Sequence, residues 1–539
     1  MLIMENKSSL LLGFLVLLII GSANLTESKK EIIPVLKFDS SYFPEGFYWG
    51  VATSAYQIEG HSNKSGRGPS IWDTFVHEYP ERIDDRSNAD VTVDFYNHYQ
   101  DDFKRMSKQL GMNAYRFSIS WTRVIPSGRI REGINEEGIE FYNKIIDESI
   151  KNGLTPFGTI FHWDVPQALE DKYGGFRSRN IVADYKDFAE LCFQKFGDRV
   201  KHWITLNEPF VFDTHGYELG GLAPGRCSHW VNRACQAGDS GTEPYIVGYH
   251  LLLAHAAAVH LYRQKYNNGK IGITLDLTWS EPISDSPDDI AASQRSLDFL
   301  FGWWLDPIVY GHYPRTMQTL VGDRLPKFTK EEIDLVKGSY DFFGINSYTS
   351  NFASANFTAD PDPTHLRYAT DSAVTLTKFK DGKPIGQQAS PSWLYFWPEG
   401  IRRILNYTKV AYRNPVIYVT ENGVGDPLGL SSENSRKDLW RIKYHEEHLL
   451  EILKAICVDG VNVQGYFAWS FIDNFEWSNG FTVSMGLYGV DHEDNLSRRP
   501  KLSVSWFNEF LKLKGQKGGP KCDIPKLDEE DSLEDDSEL

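Results

Sequence analysis

The chain has 539 residues, of which 41% are hydrophobic and 24% are charged, and its formal net charge is −17. This composition is typical of a globular protein with a large apolar core, and the acidic balance argues against a nucleic-acid partner. The five cysteines include no Cys-x-x-Cys pair, so a zinc site is not indicated. We expect neither a metal nor a cofactor.

The first 23 residues have the features of a secretory signal peptide. Lys7 precedes an apolar run over 10–20, and Gly21-Ser22-Ala23 offers small residues for cleavage. The run is shorter than the roughly 20 apolar residues that span a bilayer, which argues against a membrane anchor. We therefore expect a soluble mature protein that has no membrane partner and begins with an N-terminal extension over residues 24–40.

Residues 41–515 show no low-complexity linker, and short β-prone runs alternate there with longer helical patterns. The predicted strands are Phe47–Ala52, Ala114–Ser120, Thr155–Phe161, Trp203–Asn207, Ile271–Leu277, Phe342–Tyr348, Val416–Glu421 and Gln464–Ser470. The predicted helices between them include Glu136–Asn152, Ile181–Phe196, Glu243–Tyr266 and Arg436–Val458. Eight strands that alternate with helices indicate an α/β protein, a single (β/α)8 TIM barrel with long loops at its C-terminal face. A doubly wound open sheet is the alternative, but the Gly-rich nucleotide turn that usually follows its first strand is absent.

Secretion permits disulfides and glycans. Cys227 and Cys235 are close enough to clip one loop, so we predict a bridge between them. Cys192 and Cys457 lie in helical apolar patterns, which predicts that both are buried thiols. Glycosylation sequons start at Asn63, Asn356, Asn406 and Asn495.

Residues 516–539 are predicted to form a disordered acidic tail, because Asp523–Leu539 holds nine acids, one lysine and no aromatic residue. The terminal Asp-Ser-Glu-Leu loosely resembles an endoplasmic-reticulum retention signal. Retention in that compartment and export to the extracellular space, the apoplast or the vacuole are therefore both open. The sequence is also compatible with a homo-oligomer.

Two carboxylates stand at strand ends in similar contexts. Glu208 lies in Thr-Leu-Asn-Glu-Pro at 205–209, and Glu421 lies in Val-Thr-Glu-Asn-Gly at 419–423. Active sites of TIM barrels form at the C-terminal ends of the strands, so strands four and seven would bring both carboxylates to one mouth. A pair of carboxylates is what cleavage of a glycosidic bond requires, with one group as acid and the other as nucleophile or base.

Other polar and aromatic side chains fall at the same predicted strand ends. Asn207 is suited to a sugar hydroxyl, while Tyr348 and Arg116 are placed to stabilise the charge of Glu421. Further candidates are His162 after strand three, Asn346 on strand six, Trp469 after strand eight, and Glu476 and Trp477 on the loop that follows. This clustering predicts one pocket that is both polar and aromatic.

Six long motifs make the sequence similar to family 1 of the glycoside hydrolases, specifically the secreted plant β-glucosidases. The similarity covers about residues 40–515 and rests on the motifs at 47–60, 115–121, 161–169, 205–209, 419–423 and 465–477. The resemblance implies that Glu208 is the acid/base and Glu421 the nucleophile of a retaining enzyme. It also implies a glucose subsite and an aromatic platform for the leaving group. The glucose subsite comprises Gln57, His162, Asn207, Asn346, Tyr348, Trp469, Glu476 and Trp477, and the platform is Trp393.

One departure from the family pattern lies beside the glucose subsite. The family usually has Arg-Phe-Gly where this chain has Ser484-Met485-Gly486. Met485 is apolar and flexible, so it can fill the gap but defines the wall less rigidly than phenylalanine. We hypothesise an altered fit around the hydroxymethyl end of the sugar, one that admits a larger glycone such as a disaccharide. The expected function is hydrolysis of a glycosylated small molecule. A disaccharide glycosidase and a transglucosidase are the competing hypotheses.

A thioglycosidase and a non-catalytic sugar-binding barrel are less well supported by the residues present. Family relatives specialised for thioglycosides carry glutamine at the acid/base position, whereas this chain has Glu208. A non-catalytic sugar-binding barrel is expected to have lost one of the two carboxylates, and both are present.

Overall fold

The computed structural model describes residues 34–356, 364–427, 432–512, 520 and 522–524. The predicted signal peptide and most of the predicted acidic tail lie outside the described residues. Asn63, Asn356, Asn406 and Asn495 lie within them, and none of these four is buried. The predicted domain boundaries at residues 41 and 515 stay predictions.

Eight strands form a closed barrel in which every strand lies beside its neighbours in the chain. They are β1 Tyr48–Ala52, β2 Ala114–Ser118, β3 Thr155–Phe161, β4 His202–Asn207, β5 Lys270–Asp276, β6 Phe342–Asn346, β7 Ile417–Asn422 and β8 Val463–Ala468. All eight pairings are parallel, including the one between β8 and β1 that closes the barrel. The prediction of a (β/α)8 barrel is confirmed, and the doubly wound open sheet is excluded.

The strands are buried along nearly their whole length because helices cover the outside of the barrel and side chains fill its inside. The helices that alternate with the strands are Phe95–Lys104, Glu136–Lys151, Asn180–Phe196, Glu243–Lys265, Trp303–Tyr310, Glu399–Ala411, Leu439–Cys457 and Leu502–Phe510. In Glu136–Lys151 the buried positions include Ile139, Tyr142 and Ile146, a helical spacing that turns one face toward the strands.

Shorter elements occupy the connections. The other α-helices are Ala55–Ile58, Ile71–Glu78, Trp121–Val124, Gln167–Tyr173, Pro209–Tyr217, Pro287–Leu297, Arg315–Val321, Lys330–Val336, Tyr368–Asp371 and Ser432–Lys437. The strands outside the barrel are Trp279–Pro282, Ser350–Ala355, Val374–Thr377, Phe379–Lys380, Lys383–Pro384, Gln387–Gln388, Tyr395–Phe396, Tyr488–Asp491 and Ser497–Pro500. Several of these lie in the connection between β6 and β7, which makes it one of the long loops that the sequence predicts.

Aromatic rings close the N-terminal end of the barrel. Tyr48 and His202 are the first residues of β1 and β4, and both pack against Phe157 inside the barrel, with the Phe157 and His202 rings stacked at 4.2 Å. Tyr418 of β7 meets Phe157 edge-on at 5.4 Å. This packed floor leaves the opposite, C-terminal end for chemistry.

The predicted strands and helices differ from the structure mainly at their ends. The predicted C-terminal ends of strands two, six and eight overrun by two residues, because the chain leaves the ladder there to enter the mouth. The predicted helix Arg436–Val458 is interrupted at Asp438, whose backbone φ of 27° is not helical. The buried carboxylate of Asp438 accepts hydrogen bonds from Arg441 and Ser503, which holds the break in place.

The cysteines follow the sequence prediction in part. Cys227 and Cys235 form a disulfide, and Cys192 is a buried free thiol. The prediction of a buried thiol at Cys457 is wrong, because Cys457 forms a disulfide with Cys522. Cys457 is the last residue of its helix and is only half-buried. Its side chain is therefore accessible to Cys522 of the C-terminal segment.

Across the described part of the chain, no helix has both the length and the apolar content needed to cross a membrane.

Candidate active site

Glu208 and Glu421 both lie at the C-terminal mouth of the barrel. Glu208 directly follows β4, and its backbone N–H donates to the carbonyl of Thr274 on β5 at 2.9 Å. Glu421 is the second-last residue of β7, where the register with β6 shifts after Val419. Glu208 is 8% exposed and Glu421 is 3% exposed. Water is therefore largely excluded from both carboxylates, which strengthens every charge interaction between them.

Both oxygens of Glu421 have a strong donor. The Arg116 guanidinium forms a buried ion pair with Oε1, and the Tyr348 hydroxyl donates to Oε2 at 2.6 Å. Arg116 is completely buried, so its charge is poorly screened by solvent. These contacts place a positive charge and a hydroxyl donor on Glu421 and fix the direction of its two oxygens.

Glu208 has the opposite environment. Burial, and then the negative charges of Glu421 and Asp276, raise the pKa of Glu208 well above its ordinary value. The Asn346 amide donates to Oε1 of Glu208 at 2.6 Å and opposes this shift without outweighing it. Glu208 therefore keeps its proton under conditions in which an exposed glutamate is ionised.

Asn207 connects the surroundings of the two carboxylates. Its Oδ1 accepts from Arg116 at 2.6 Å and from Asn346 at 3.1 Å. Its Nδ2 lies 3.1 Å from Nε2 of His162, which accepts if the imidazole is neutral. Burial and the charge of Arg116 lower the pKa of His162 well below its ordinary value, so the neutral ring is favoured. The other ring nitrogen of His162, Nδ1, is buried without a hydrogen-bond partner among the described residues.

A second polar group joins Gln57, on the short helix after β1, to the loop after β8. Gln57 is completely buried, and its Nε2 donates to Oδ1 of Asn474 at 2.9 Å and to Oε2 of Glu476 at 3.2 Å. Burial, and then the charge of Glu421, raise the pKa of Glu476 to about 8. Amide and carboxyl groups held in this way suit the hydroxyls of a sugar ring.

Two indole rings flank His162. The His162 ring lies 6.2 Å from that of Trp469 and 6.0 Å from that of Trp477, with interplanar angles of 19° in both cases. Both indoles are buried at the mouth. Gly423 allows β7 and β8 to meet there, since a Cβ on Gly423 would lie 1.7 Å from the carbonyl oxygen of Trp469.

Trp393 and Met485 occupy different parts of the site. Trp393 is 47% exposed and meets the Tyr348 ring edge-on at 6.0 Å, which puts an open apolar face beside the tyrosine that binds Glu421. Met485 is only 3% exposed and belongs to the buried cluster that contains Trp469. The structure thus brings the predicted site residues to one end of the barrel, and Met485 belongs to the same buried apolar cluster as Trp469.

Three further residues, which are not among the predicted site residues, support this arrangement. The Thr420 hydroxyl donates to Oδ1 of Asn346 at 2.7 Å, and the Trp163 indole N–H donates to the carbonyl of Asn207 at 2.9 Å. Asp276 is the last residue of β5. The rule that picks residues at strand ends applies equally to Asp276 and would have found it, whereas the roles of Thr420 and Trp163 depend on side-chain directions.

Comparison with known proteins agrees with this geometry. The family model "Glycosyl hydrolase family 1" matches residues 39–516. Beta-glucosidase 12 of Oryza sativa subsp. indica is 51% identical over 507 residues, covering 93% of this chain and 98% of the relative. Furostanol glycoside 26-O-beta-glucosidase of Hellenia speciosa is 52% identical over 476 residues, covering 88% of this chain and 83% of the relative.

A solved structure gives the same result. A mutant of the rice β-glucosidase Os3BGlu6 in a covalent complex with Glc is 48% identical, with a TM-score of 0.86, and the match covers 88% of this chain and 100% of that chain. The chain therefore belongs to glycosyl hydrolase family 1 and shares with these relatives the activity of a retaining β-glucosidase.

Proposed function

We propose that Glu208 is the acid/base and Glu421 the nucleophile of this β-glucosidase. The observation that carries the assignment is the opposite environment of the two carboxylates. Glu421 is paired with Arg116 and Tyr348, whereas Glu208 is buried beside like charges and accepts one amide hydrogen bond. A site with one protonated and one ionised carboxyl group can run acid and nucleophilic chemistry at the same pH.

In the first step, an oxygen of Glu421 attacks the anomeric carbon while the bond to the leaving oxygen breaks. Glu208 gives its proton to that oxygen, so the leaving group departs as a neutral alcohol and Glu208 becomes a carboxylate. In the second step, Glu208 takes a proton from water as the water oxygen attacks the anomeric carbon. The bond to Glu421 breaks, glucose leaves, and both carboxyl groups return to their starting states.

The glucose ring is held by groups that surround the two carboxylates. Gln57 and Glu476 form one polar side, His162 and Asn207 form another, and Trp477 supplies a ring face. The free Nδ1 of His162 is available to a sugar hydroxyl. Two-sided hydrogen bonding of this kind discriminates between sugar epimers, because a misplaced hydroxyl leaves buried polar groups unpaired.

The leaving group is proposed to be a plant specialised metabolite with an apolar face. Trp393 leaves its indole open to solvent beside Tyr348, which suits an apolar aglycone. The Hellenia speciosa relative is named for a furostanol glycoside, which supports a glycosylated small molecule as substrate.

A disaccharide glycoside is the second candidate substrate, and Met485 favours it. Met485 lies in the buried apolar cluster that also contains Trp469, at the position where the family usually has phenylalanine. A flexible side chain lets the wall yield to a larger glycone. Transfer of glucose to an alcohol in place of water uses the same covalent intermediate and is a second outcome open to the same site.

We also propose that the protein matures in the secretory pathway. The disulfides Cys227–Cys235 and Cys457–Cys522 favour an oxidising compartment. Treating the native glycoprotein with an endoglycosidase that removes only immature glycans separates the two destinations. Sensitive glycans indicate retention in the endoplasmic reticulum, and resistant glycans indicate passage beyond it.

Kinetics on aryl β-glucosides test the two assignments. Glu421→Gln is expected to lose activity on every leaving group, by about 10⁴-fold or more. Glu208→Gln is expected to fail on phenyl β-glucoside but to form the glycosyl-enzyme from 2,4-dinitrophenyl β-glucoside, whose leaving group needs no proton. Glu140→Gln, on an exposed helix face beside Lys144, serves as the control. Full activity in either site variant would overturn the assignment.

A further inference from the structure

Asp276 adjoins Glu208 from two directions. The backbone N–H of Glu208 donates to the carbonyl of Thr274, two residues before Asp276 on β5. Asp276 itself pairs in register with Asn346 of β6, whose amide donates to Glu208 at 2.6 Å. Since side chains two residues apart share one face of a strand, Asp276 points the same way as the buried Thr274, toward the inside of the barrel.

Among the residues that the structure describes, the carboxylate of Asp276 has no hydrogen-bond or ion-pair partner, in contrast to those of Glu208 and Glu421. Asp276 is half-buried, and within the described residues it makes no side-chain hydrogen bond or ion pair. Removing a carboxylate from water without a partner costs free energy. At the mouth of the barrel, the carboxylate of Asp276 therefore acts on neighbouring groups through its negative charge.

Lys378 brings the opposing charge. It lies on the β6–β7 connection, and its ammonium donates to Oγ1 of Thr349 at 3.0 Å and to the carbonyl of Ser350 at 2.8 Å. It also lies over the Tyr395 ring at 5.6 Å. These contacts fix the ammonium beside the first residues of the β6–β7 connection, directly after the strand that pairs with β5.

Several charged or titratable groups act on Glu208 and Asp276. They are Glu421 on β7, Arg116 on β2, Tyr348 after β6 and Lys378 on the β6–β7 connection. Burial, and then the charge of Glu421, raise the pKa of Asp276 to about 7, while Lys378 opposes that rise. Burial lowers the pKa of Lys378 to about 8, and Asp276 opposes that fall.

We propose that Asp276 is a positioning residue for Glu208: its negative charge, opposed by that of Lys378, keeps the leaving-group proton on Glu208. This inference rests on the proposed role of Glu208 as acid. The two carboxyl groups then titrate as a pair with two macroscopic pKa values. The pair keeps its last proton, the one on Glu208, up to the higher of these two values. The acidic form of the enzyme persists into a pH range in which Glu208 alone would already be ionised.

The test is the pH dependence of kcat/KM on phenyl β-glucoside, whose leaving group needs the proton of Glu208. Asp276→Asn removes a negative charge, so the alkaline limb is expected to move to lower pH by about half a unit or more. Lys378→Met removes a positive charge, so the limb is expected to move to higher pH. Asp334→Asn makes the same change of net charge as Asp276→Asn, in an exposed pair with Lys330, and is expected to leave the limb in place.

A purely structural role for Asp276 would lower activity without moving the limb in opposite directions in the two variants. The proposal is overturned if the limbs of Asp276→Asn and Lys378→Met coincide with that of the wild type. Lys378→Met alone decides the question if Asp276→Asn does not fold. If Glu208→Gln keeps the wild-type alkaline limb, the assignment of Glu208 as the acid fails instead, so the two failures are distinguishable.

Discussion

The hydroxyl of Tyr348 donates a 2.6 Å hydrogen bond to Oε2 of Glu421, the oxygen that Arg116 does not bind. This contact joins the end of β6 to the end of β7 and orients the proposed nucleophile. A hydrogen bond to a charged group contributes about 1.5–3 kcal/mol, so Tyr348→Phe is expected to lower kcat/KM by about 10- to 100-fold. The measurement is steady-state kinetics on an aryl β-glucoside.

Tyr173→Phe is the matched control for that variant. The Tyr173 hydroxyl also donates to a carboxylate, that of Asp184 at 2.9 Å, but outside the mouth. Activity of Tyr173→Phe should stay near that of the wild type. Equal activity of Tyr348→Phe and Tyr173→Phe would show that the hydroxyl of Tyr348 does not assist Glu421.

Met485→Phe tests the size of the glycone. A larger, stiffer ring in the buried cluster that contains Trp469 is expected to lower the rate on a disaccharide glycoside relative to the glucoside by about 10-fold, since small changes in pocket shape are worth about 1–3 kcal/mol. Met485→Leu keeps the volume similar and should leave the ratio of the two rates near its wild-type value. An unchanged ratio in Met485→Phe would remove the argument for a disaccharide substrate.

Asp102 links the helix Phe95–Lys104 to the strand Ser497–Pro500. It is completely buried and accepts from Arg498 at 3.0 Å and from Arg105 at 3.0 Å. Asp102→Asn leaves the buried Arg498 without a charged partner, and we expect the free energy of unfolding to fall by about 3 kcal/mol.

Urea denaturation measures this change, and Asp101→Asn is the control. Asp101 pairs with Lys104 at 2.8 Å on the exposed face of the same helix, and such pairs are worth about 0.2–1 kcal/mol. The free energy of unfolding is expected to fall much more in Asp102→Asn than in Asp101→Asn. Similar losses for the two variants would contradict this expectation.

The two disulfides are expected to stabilise the fold unequally. The Cys457–Cys522 bridge closes a loop with a sequence separation of 65, against 8 for Cys227–Cys235. Chain entropy then predicts losses of about 4 and about 2.5 kcal/mol when each pair is replaced by serine. Urea denaturation of the two double variants checks the order, and a smaller loss for the longer loop would contradict the entropic account.

The sequence predicted the barrel because each strand carries a short apolar run and each helix an apolar face. It also predicted which strand ends carry polar groups, since parallel strands in a barrel all end at one mouth. The break at Asp438 escaped prediction because it depends on a tertiary contact with Ser503. The Cys457–Cys522 bridge escaped for the same reason, because the apolar pattern around Cys457 says nothing of a distant partner.

Within the site, residue types were predictable but partners were not. Arg116 was placed beside Glu421 from its position near the end of strand two, yet its second contact, with Asn207, depends on side-chain geometry across the barrel. The isolation of Asp276 is a three-dimensional property in the same way. The local sequence around Asp276 does not reveal that its carboxylate lacks a hydrogen bond or ion pair with the described residues.

The assignment of Glu421 as nucleophile is tested most directly by trapping the covalent intermediate. A 2-deoxy-2-fluoro-β-glucoside with a dinitrophenyl leaving group slows the second step, so mass spectrometry of the digested enzyme can locate the sugar. We expect one added 2-fluoroglucosyl group on the peptide that contains Glu421, and none on any peptide of the Glu421→Gln variant. A sugar attached to Glu208, Asp276 or any other residue would contradict this assignment.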